Sequence, residues 1–395
     1  MSDEGLKRTK NDNLGAAKKA KFDEFYTQYH DIEKEMNAYL DYDKNVFRDK
    51  TILLPCDDPE WSNFTKYFAQ NFERLGLKKL ISTSYAPDSK PEELNLQLSL
   101  FETQSPKFDR AKARANGKIY TLTRDTTGDK KINVEDLEWE YLRGDGDFRS
   151  AEVTVLRDEA DIIITNPPFS LFREFLDWIT SANKKLVIIG NMNAITYKET
   201  FRLIKDNKLW VGATGFNEGM YFRVPDNFMY APTYKFDRER DGIKVNRVPG
   251  VCWYTNIDHG RRHEPLPLMT EADNTKFSKH KEIKGKGYQT YDNYDAVEVP
   301  FTDAIPSDYP GIMGVPISFL VKYNPDQFEI LGMCENEDLY QLKTKQYTSA
   351  ECKAAYLAKF KKPGTYDLNA SGVLIQDGQY EKVYQRIIIK HRKAS

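Results

Sequence analysis

The sequence predicts a doubly wound α/β domain with a mostly parallel sheet, followed by a mixed C-terminal module. Short, nearly continuous apolar segments such as TILLP at 51–55 and ADIIITN at 160–166 are typical of strands buried on both faces. Amphipathic segments separate these strands, as they do in β-α-β units. Beyond about residue 235 this alternation stops, and Gly, Pro and aromatic residues become frequent.

Local signals predict each element in turn. The segment 22–40 has helical spacing after its first residues, and 62–76 begins with the N-cap residue Ser62 and ends at Gly76. The segment GKIYTLTRD at 117–125 has a hairpin-like pattern. The other predicted elements are strands at 51–55, 77–85, 160–166, 184–191 and 208–213, and helices at about 170–182 and 194–206.

Composition limits the possible classes of function. Lys and Arg number 58 against 60 Asp and Glu, so any nucleic-acid surface must be a local patch. The four cysteines form no CxxC pair and the histidines have no metal-ligand spacing, so we expect neither a disulfide framework nor a metal site. We find no membrane-length apolar run and no signal peptide, and we therefore expect a cytoplasmic protein without membrane association. Residues 1–20 are expected to form a basic, flexible tail.

Asn166, Pro167, Pro168 and Phe169 follow the buried strand at 160–166. Ligands of open α/β sheets bind outside the carboxyl ends of the strands, so this position indicates a site. The two prolines fix φ and remove two N–H donors, which leaves the Asn166 side-chain oxygen and a backbone carbonyl, that of Pro167, as rigid acceptors. We predict that these four residues are catalytic and hold an aromatic amine, with Phe169 stacked on its ring. The alternative is a rigid turn that only ends a strand.

The 6-amino group of adenine is an amine of this kind, although its lone pair is delocalised into the ring. Two acceptors would stabilise the positive charge that develops on the nitrogen during attack, so their effect grows toward the transition state. The proton can leave after methyl transfer. No ionised base is therefore required, which agrees with the absence of His, Cys and carboxylates from the motif.

These motifs resemble those of a known family. NPPF resembles the catalytic motif of amino-methyltransferases, and DEFYTQ at 23–28 resembles the FYTP cofactor motif of adenine methyltransferases that begin with this element. The segments TNPPFSLFREF, CWYTNIDHGRRHE and GVPISFLVKYNPDQFEILG are similar to adenine-specific DNA methyltransferases of the EcoRI-modification type. The resemblance covers about 21–332. It implies a Rossmann-like methyltransferase core, S-adenosylmethionine as cofactor, and methylation of a DNA adenine that is rotated out of the duplex.

The resemblance also implies a cofactor site. Phe25, Tyr26 and Thr27 would approach the methionine end of S-adenosylmethionine, and Asp147 with Phe148 its adenosine. The full implied set is Phe25, Tyr26, Thr27, Pro55, Cys56, Asp57, Asp58, Asp147, Phe148, Asn166 and Phe172. The sequence departs from the family pattern in two places, because Gln28 replaces the common proline and PCDDPEWSNF lacks the usual glycine-rich turn.

The change in composition beyond about residue 235 divides the chain into a core at 21–258 and a mixed module at 259–395. With the resemblance, these are expected to be the methyltransferase core and the target-recognition and C-terminal module. Basic residues cluster between Arg238 and Lys286. Since Lys and Arg neutralise phosphates, double-stranded DNA is the expected partner. The residues expected to bind it are Arg261, Arg262, Lys284 and Lys286. A solvated surface is the alternative for this stretch.

Other functions stay open at the level of sequence. The same loop could hold an RNA adenine or the amide of a protein glutamine, although the long C-terminal module favours DNA. A non-catalytic DNA-binding protein is a further alternative, which the intact Asn166 and paired prolines argue against. We expect a monomer, with a cognate restriction endonuclease as a possible partner.

Overall fold

The computed structural model describes residues 26–57, 62–86, 105–216, 219–223, 238–240 and 243–392. The chain divides into two compact units. One comprises Met1–Ile204 with Lys208–His259, and the other comprises Lys205–Asn207 with Gly260–Ser395. The expected tail at 1–20 and the expected cofactor residues Phe25 and Asp58 lie outside the described residues.

The first unit contains twelve strands among its described residues. They are β1 (Tyr26–Thr27), β2 (Thr51–Leu54), β3 (Lys79–Ser84), β4 (Lys118–Leu122), β5 (Glu138–Tyr141), β6 (Ile162–Thr165), β7 (Lys185–Asn191), β8 (Trp210–Val211), β9 (Met220–Arg223), β10 (Arg238–Arg240), β11 (Ile243–Val248) and β12 (Val251–Thr255). Eight of them form a central sheet in the order β5-β4-β3-β2-β6-β7-β12-β8.

The four middle strands β3, β2, β6 and β7 are parallel. On one side β4 is antiparallel to β3 and β5 to β4, and on the other β12 is antiparallel to both β7 and β8. Only β4 and β12 therefore run against the other strands. The expected mixed α/β fold with a large, mostly parallel central sheet is confirmed.

Strand β12 was not predicted. It lies between β7 and β8, and all five of its residues are buried. The chain enters it from the antiparallel strand β11 through a turn that contains Gly250, at φ 73°. Because no helix precedes β12, the β-α alternation that located the other buried strands gives no signal here.

Helices form at the four predicted helical segments of the first unit, with local differences, whereas the helices at Lys112–Ala115 and Ala151–Glu159 were not predicted. They are α1 (Tyr29–Tyr42), α2 (Asn63–Gln70), α3 (Phe72–Leu75), α4 (Lys112–Ala115), α5 (Ala151–Glu159), α6 (Phe172–Thr180) and α7 (Lys198–Lys205). The predicted N-cap is confirmed, since the Ser62 hydroxyl accepts from the Phe64 N–H at 3.0 Å. The predicted helix 62–76 is divided at Asn71, and Gly76 ends it with φ 64°.

The first residues of the predicted segment 22–40 that the structure describes form a strand. Tyr26 and Thr27 make up β1, which pairs with Arg223 and Phe222 of β9. This strand belongs to a second sheet with the order β1-β9-β11-β10. Tyr26 and Thr27 therefore form a short strand before α1, in agreement with a helix that begins after the first residues of the predicted segment.

Glu35 of α1 is fully buried. Its carboxylate accepts from the Tyr39 hydroxyl at 2.6 Å, from the Ala213 N–H at 2.8 Å and from the Thr214 hydroxyl. Burial raises the pKa of Glu35, and these hydrogen bonds oppose the rise. The group joins α1 to the segment after β8, so a titratable side chain is part of the core of the first unit.

The second unit has its own core. Its strands are β13 (Val297–Glu298), β14 (Met313–Pro316), β15 (Phe328–Met333), β16 (Val373–Gln376), β17 (Gln379–Lys382) and β18 (Arg386–His391), with helices α8 (Glu271–Phe277) and α9 (Ser349–Phe360). Four strands form a sheet in the order β13-β14-β18-β15, and β16 pairs with β17. Arg386 and Glu298 form a buried ion pair at 2.6 Å. Tyr291 also donates to Glu298, so the buried carboxylate is well satisfied.

No helix in the described ranges combines the length and apolar character needed to cross a membrane. Within the same residues, His, Cys, Asp and Glu form no group of three or more that could hold a metal ion.

Candidate active site at the carboxyl ends of the central strands

The NPPF loop begins where β6 ends, in the middle of the parallel part of the sheet. Strand β6 is completely buried and lies between β2 and β7. Pro167 is buried, whereas Asn166, Pro168 and Phe169 are half-buried. The chain then forms a 3₁₀ turn at Phe169–Leu171 and continues as α6. The four residues thus stand at a sheet edge where open α/β folds bind ligands.

Backbone hydrogen bonds distinguish the two proline carbonyls of this loop. The Leu171 N–H donates to the Pro168 carbonyl at 2.9 Å, which closes the 3₁₀ turn. Within the described ranges, no donor approaches the carbonyl of Pro167. The turn therefore uses the Pro168 carbonyl as an acceptor and leaves the Pro167 carbonyl without a described donor.

A buried hydrogen bond joins the end of β6 to the end of β2. The Thr165 hydroxyl donates to the Pro55 carbonyl at 2.7 Å, and Thr165 is fully buried. Thr165 immediately precedes Asn166, and Pro55 precedes Cys56. This bond holds the NPPF loop and the loop after β2 together.

The loop after β2 is held by a polar network in place of a glycine-rich turn. Cys56 has φ 62°, in the left-handed region that usually favours glycine, and it is half-buried. The buried carboxylate of Asp57 accepts from the hydroxyls of Ser62 and Thr65. The Asp57 N–H donates to the Thr83 carbonyl at 2.7 Å. Asp57 therefore anchors the loop, and its carboxylate is directed into the protein.

Tyr85 connects three of the expected cofactor residues. Its hydroxyl pairs with the Cys56 side chain and with the backbone of Phe148, and the charge of Asp147 is near enough to influence it. Burial, followed by the effect of Cys56, raises the pKa of Tyr85. Tyr85 therefore stays protonated and can act as a neutral hydrogen-bonding group at the end of β3. An acidic ribose partner is common at this position in related sheets.

The GDGDF segment packs closely on the end of β3. Gly146 has φ 86°, and a Cβ there would collide with the carbonyl oxygen of Ser84. The Ala86 N–H donates to the Asp145 carbonyl at 2.7 Å. The glycine is thus required by both its backbone conformation and its close contact with the strand, and it places Asp147 near Tyr85.

Asp147 forms a bidentate ion pair with Arg149. The guanidinium donates to Oδ1 at 2.9 Å and to Oδ2 at 2.7 Å, and these bonds lower the pKa of Asp147. Arg149 also reaches Glu174 at 3.0 Å. The carboxylate of Asp147 is therefore ionised and oriented, although much of its hydrogen-bonding capacity is already used.

Two aromatic rings expected at the cofactor lie in the core. Phe148 is fully buried and packs on Phe175 and Trp178 with ring centroids 4.9 Å and 5.5 Å away. Phe172 is also buried, with its ring 5.0 Å from that of Tyr254. In this structure neither ring is exposed for contact with a ligand, because each packs between α6 and neighbouring elements. Phe148 borders the site through its backbone.

Thr27 is buried, and among the described residues nothing hydrogen-bonds to its Oγ1. The Asn63 amide donates to the Thr27 carbonyl at 2.7 Å, which ties β1 to the start of α2. A buried hydroxyl without a partner is costly unless another group satisfies it. This hydroxyl fits the expectation that Thr27 contacts a ligand. The side chain of Tyr26 lies outside the described residues.

The expected DNA-binding residues belong to the second unit and differ in exposure. Arg261, Lys284 and Lys286 are exposed. Arg262 is only 6% exposed, and its guanidinium donates to the Asn207 side chain. A short 3₁₀ turn at Gly260–His263 buries Arg262 while Arg261 stays exposed, so contact of Arg262 with DNA would require this turn to change conformation.

Thr165, Arg149, Glu35 and Tyr85 were not among the functional residues expected from the sequence. Thr165 lies next to the NPPF motif and Tyr85 ends a predicted strand, so position was an available signal for both. Their partners are distant in sequence. Thr165 and Pro55 are 110 positions apart, and Glu35 and Thr214 are 179 apart. One chain read alone gives no information on such contacts.

The chain is similar to known proteins over both units. A family model described as adenine-specific methyltransferase EcoRI matches residues 13–392. Type II methyltransferase M.EcoRI of Escherichia coli is 41% identical over 326 residues, which is 82% of this chain and 90% of that protein. Type II methyltransferase M.MpnI of Mycoplasma pneumoniae is 35% identical over 334 residues, or 84% of this chain and 89% of that protein.

A further relative is Type II methyltransferase M.MgeORF184P of Mycoplasma genitalium, which is 35% identical over 82% of this chain and 87% of its own length. No solved structure gives a significant match.

Proposed function

Since the chain belongs to the adenine-specific methyltransferase EcoRI family, we propose that its NPPF loop positions the 6-amino group of a DNA adenine for methyl transfer. The family supplies the activity, which is methylation of adenine in DNA. The observation that carries the assignment of the site is the rigid loop at the end of β6, where the Pro167 carbonyl is available beside Asn166. The side-chain oxygen of Asn166 and this carbonyl would each accept one amino hydrogen.

The chemistry of the loop follows from these two acceptors. The hydrogen bonds to both acceptors become stronger as positive charge develops on the nitrogen, so they stabilise the transition state more than the bound substrate. Fixed proline φ angles keep the acceptors in place without reorganisation. The proton leaves after transfer, and Asn166 itself never needs to ionise.

The proposed cofactor is S-adenosylmethionine, which supplies an electrophilic methyl group when it is bound. The buried hydroxyl of Thr27 would form a hydrogen bond with the charged methionine end of the cofactor. The loop of Pro55 and Cys56, with Tyr85 and the ionised Asp147, would border the adenosine. The Thr165–Pro55 hydrogen bond then holds the loop that faces the cofactor against the loop that faces the amine.

We also propose that the target adenine leaves the duplex and stacks on Phe169. A base inside the helix cannot bring its amino group to a sheet edge, and rotating it out costs a few kcal/mol. Stacking on an aromatic ring is worth about 1–3 kcal/mol, which offsets much of that cost. Phe169→Ala should lose most activity on duplex DNA, and a mismatch opposite the adenine should restore part of it. Normal methylation by Phe169→Ala would count against this step.

For the second unit we propose DNA recognition. Support comes from the exposed Arg261, Lys284 and Lys286, and from the extent of the family match through residue 392. We further propose a cognate endonuclease as partner, because the relatives are named as Type II methyltransferases. A cytoplasmic monomer stays the expectation from the sequence. Light scattering during size-exclusion chromatography tests the monomer directly, and a dimer mass would refute it.

The test of the proposed function is a parallel transfer assay. Tritiated S-adenosylmethionine is incubated with the purified protein and with plasmid DNA, total RNA or a protein extract. We expect incorporation into DNA alone. Label in RNA or in protein glutamine would show that the enzyme methylates one of these alternative substrates. If no methyl group is transferred to DNA, RNA or protein, the chain would be a binding protein without catalysis.

A further inference from the structure

Arg173 presents a fixed guanidinium beside the NPPF loop. It lies in the first turn of α6, four positions after Phe169, and it is exposed. Its guanidinium carbon is 4.0 Å from the ring centroid of Tyr197. Stacking at this distance holds a planar cation against the ring by electrostatic attraction. The orientation of the guanidinium is therefore set by a neighbouring side chain, although the residue lies at the surface.

Tyr197 is itself held by the segment that follows β7. The Tyr197 N–H donates to the Ala194 carbonyl at 3.1 Å, and the Asn193 N–H donates to the Asn191 side chain at 2.8 Å. The Tyr254 hydroxyl donates to the Asn191 carbonyl at 2.8 Å, which fixes this segment to β12. Because β6 and β7 are parallel neighbours, this segment and the NPPF loop leave the same edge of the sheet.

Arg173 differs from Arg149, whose guanidinium is paired with Asp147 and Glu174. Among the residues that the structure describes, no carboxylate lies within ion-pair distance of Arg173. Its charge is not neutralised within the described protein, so its N–H groups can donate to an anionic ligand while the guanidinium lies over the ring of Tyr197.

We infer that Arg173, stacked on Tyr197, binds a backbone phosphate of the strand that carries the target adenine. This inference rests on the proposed function. A guanidinium donates two parallel hydrogen bonds to a phosphate, and the stack orients its plane in advance. An adenine held by Asn166 and Phe169 brings its flanking phosphates to the start of α6. Arg173 would thus stabilise the extruded nucleotide through its backbone and carry no base preference.

The test compares four variants with a matched control. Arg173→Ala removes the cation, and Arg173→Lys keeps the charge without the planar donor pair. Tyr197→Leu removes the stacking ring, whereas Tyr197→Phe retains it. The control is Arg124→Ala, because Arg124 is exposed and follows β4, whose end lies at the opposite edge of the sheet.

The substrate is a duplex containing the sequence found modified in plasmid DNA. We expect Arg173→Ala to raise Kd for this duplex about 10- to 100-fold, as for a lost charge-assisted hydrogen bond, and to lower its salt slope by about one. Arg173→Lys should keep the slope and recover part of the affinity. Tyr197→Leu should weaken binding less than Arg173→Ala, while Tyr197→Phe and Arg124→Ala should match the parent.

A methylphosphonate scan identifies the phosphate. Each phosphate near the target adenine is replaced in turn by a neutral methylphosphonate. At one position the replacement should weaken DNA binding by the parent enzyme and leave DNA binding by Arg173→Ala unchanged. Arg173→Ala and Arg124→Ala with equal Kd and slope, in an enzyme that methylates DNA, would overturn this inference alone. A parent protein that transfers no methyl group to DNA would instead overturn the proposed function.

Discussion

The hydroxyl of Thr165 donates a 2.7 Å hydrogen bond to the carbonyl of Pro55 inside the central sheet. Thr165 directly precedes Asn166, and Pro55 begins the loop after β2 that is assigned to the cofactor. The bond links the two strand ends that, in the proposed function, present the amine and the methyl donor to each other. Relative placement of two reactants is a large part of catalysis, so a buried contact that fixes it should affect turnover.

Thr165→Val should therefore reduce kcat by up to about 100-fold, because it removes the donor while keeping the side-chain volume. The variant should also lose roughly 1–3 kcal/mol of unfolding free energy, since the Pro55 carbonyl is left buried without this partner. Thr165→Ser retains the hydroxyl and should keep most of the turnover. Single-turnover methylation and urea unfolding give the two numbers. Normal turnover of a folded Thr165→Val enzyme would show that this bond serves stability only.

Thr27→Val should weaken S-adenosylmethionine binding about 10-fold, because it replaces a buried hydroxyl that the cofactor would satisfy. Thr200→Val is a matched control, since Thr200 of α7 is equally buried and its Oγ1 also has no partner among the described residues. Calorimetric titration with the cofactor measures both. Equal affinities in the two variants would remove Thr27 from the pocket.

Arg261→Ala and Arg262→Ala should separate DNA binding from stability. Loss of the exposed Arg261 should lower the salt slope of DNA binding by about one and leave the unfolding midpoint unchanged. Loss of the buried Arg262 should lower the unfolding free energy by about 1–3 kcal/mol, because Asn207 loses its partner. Fluorescence anisotropy and urea titrations measure these effects. The opposite pattern would mean that Arg262 becomes exposed when DNA binds.

Glu35 should make stability depend on pH. Burial raises its pKa above the ordinary value of 4.5, so Glu35 binds a proton more strongly in the folded state than in the unfolded chain. Its contribution is fully present below pH 4.5 and is lost as pH rises through the folded-state pKa. Relative to Glu35→Gln, the parent should lose up to about 1.4 kcal/mol of unfolding free energy per pH unit in that window.

Urea unfolding from pH 4.5 to 8 measures this difference, and the exposed Glu138→Gln variant should follow the parent at every pH. If Glu35→Gln follows the parent as well, the carboxyl of Glu35 titrates alike in the folded and unfolded states.

The sequence could predict those parts of the fold that depend on local pattern. The apolar run that ends at Asn166 located β6 and its loop, and Ser62 and Gly76 marked the two ends of a helical segment, because caps and buried strands have short-range signatures. Strand β12 lacked such a signature, since strand β11 rather than a helix leads into it.

Side-chain burial within the site could not be predicted in the same way. Arg261 and Arg262 are adjacent and chemically identical, and only the 3₁₀ turn decides which one is exposed. Phe148 follows the Asp-Gly turn, yet its ring enters the core between elements that sequence does not place together. Cys56 adopts a left-handed φ, and Asp57 beside it is anchored by residues of α2 and β3. The absence of glycines from this part of the sequence did not indicate these contacts.

The most direct test of the central claim is nucleoside analysis of DNA treated with the parent enzyme or with Asn166→Ala. Our prediction is that digestion and mass spectrometry find N6-methyladenine after treatment with the parent, and about 100- to 1,000-fold slower formation with a folded Asn166→Ala variant that still binds S-adenosylmethionine. Methyl groups on another base, or N6-methyladenine formed at the parental rate by Asn166→Ala, would contradict it.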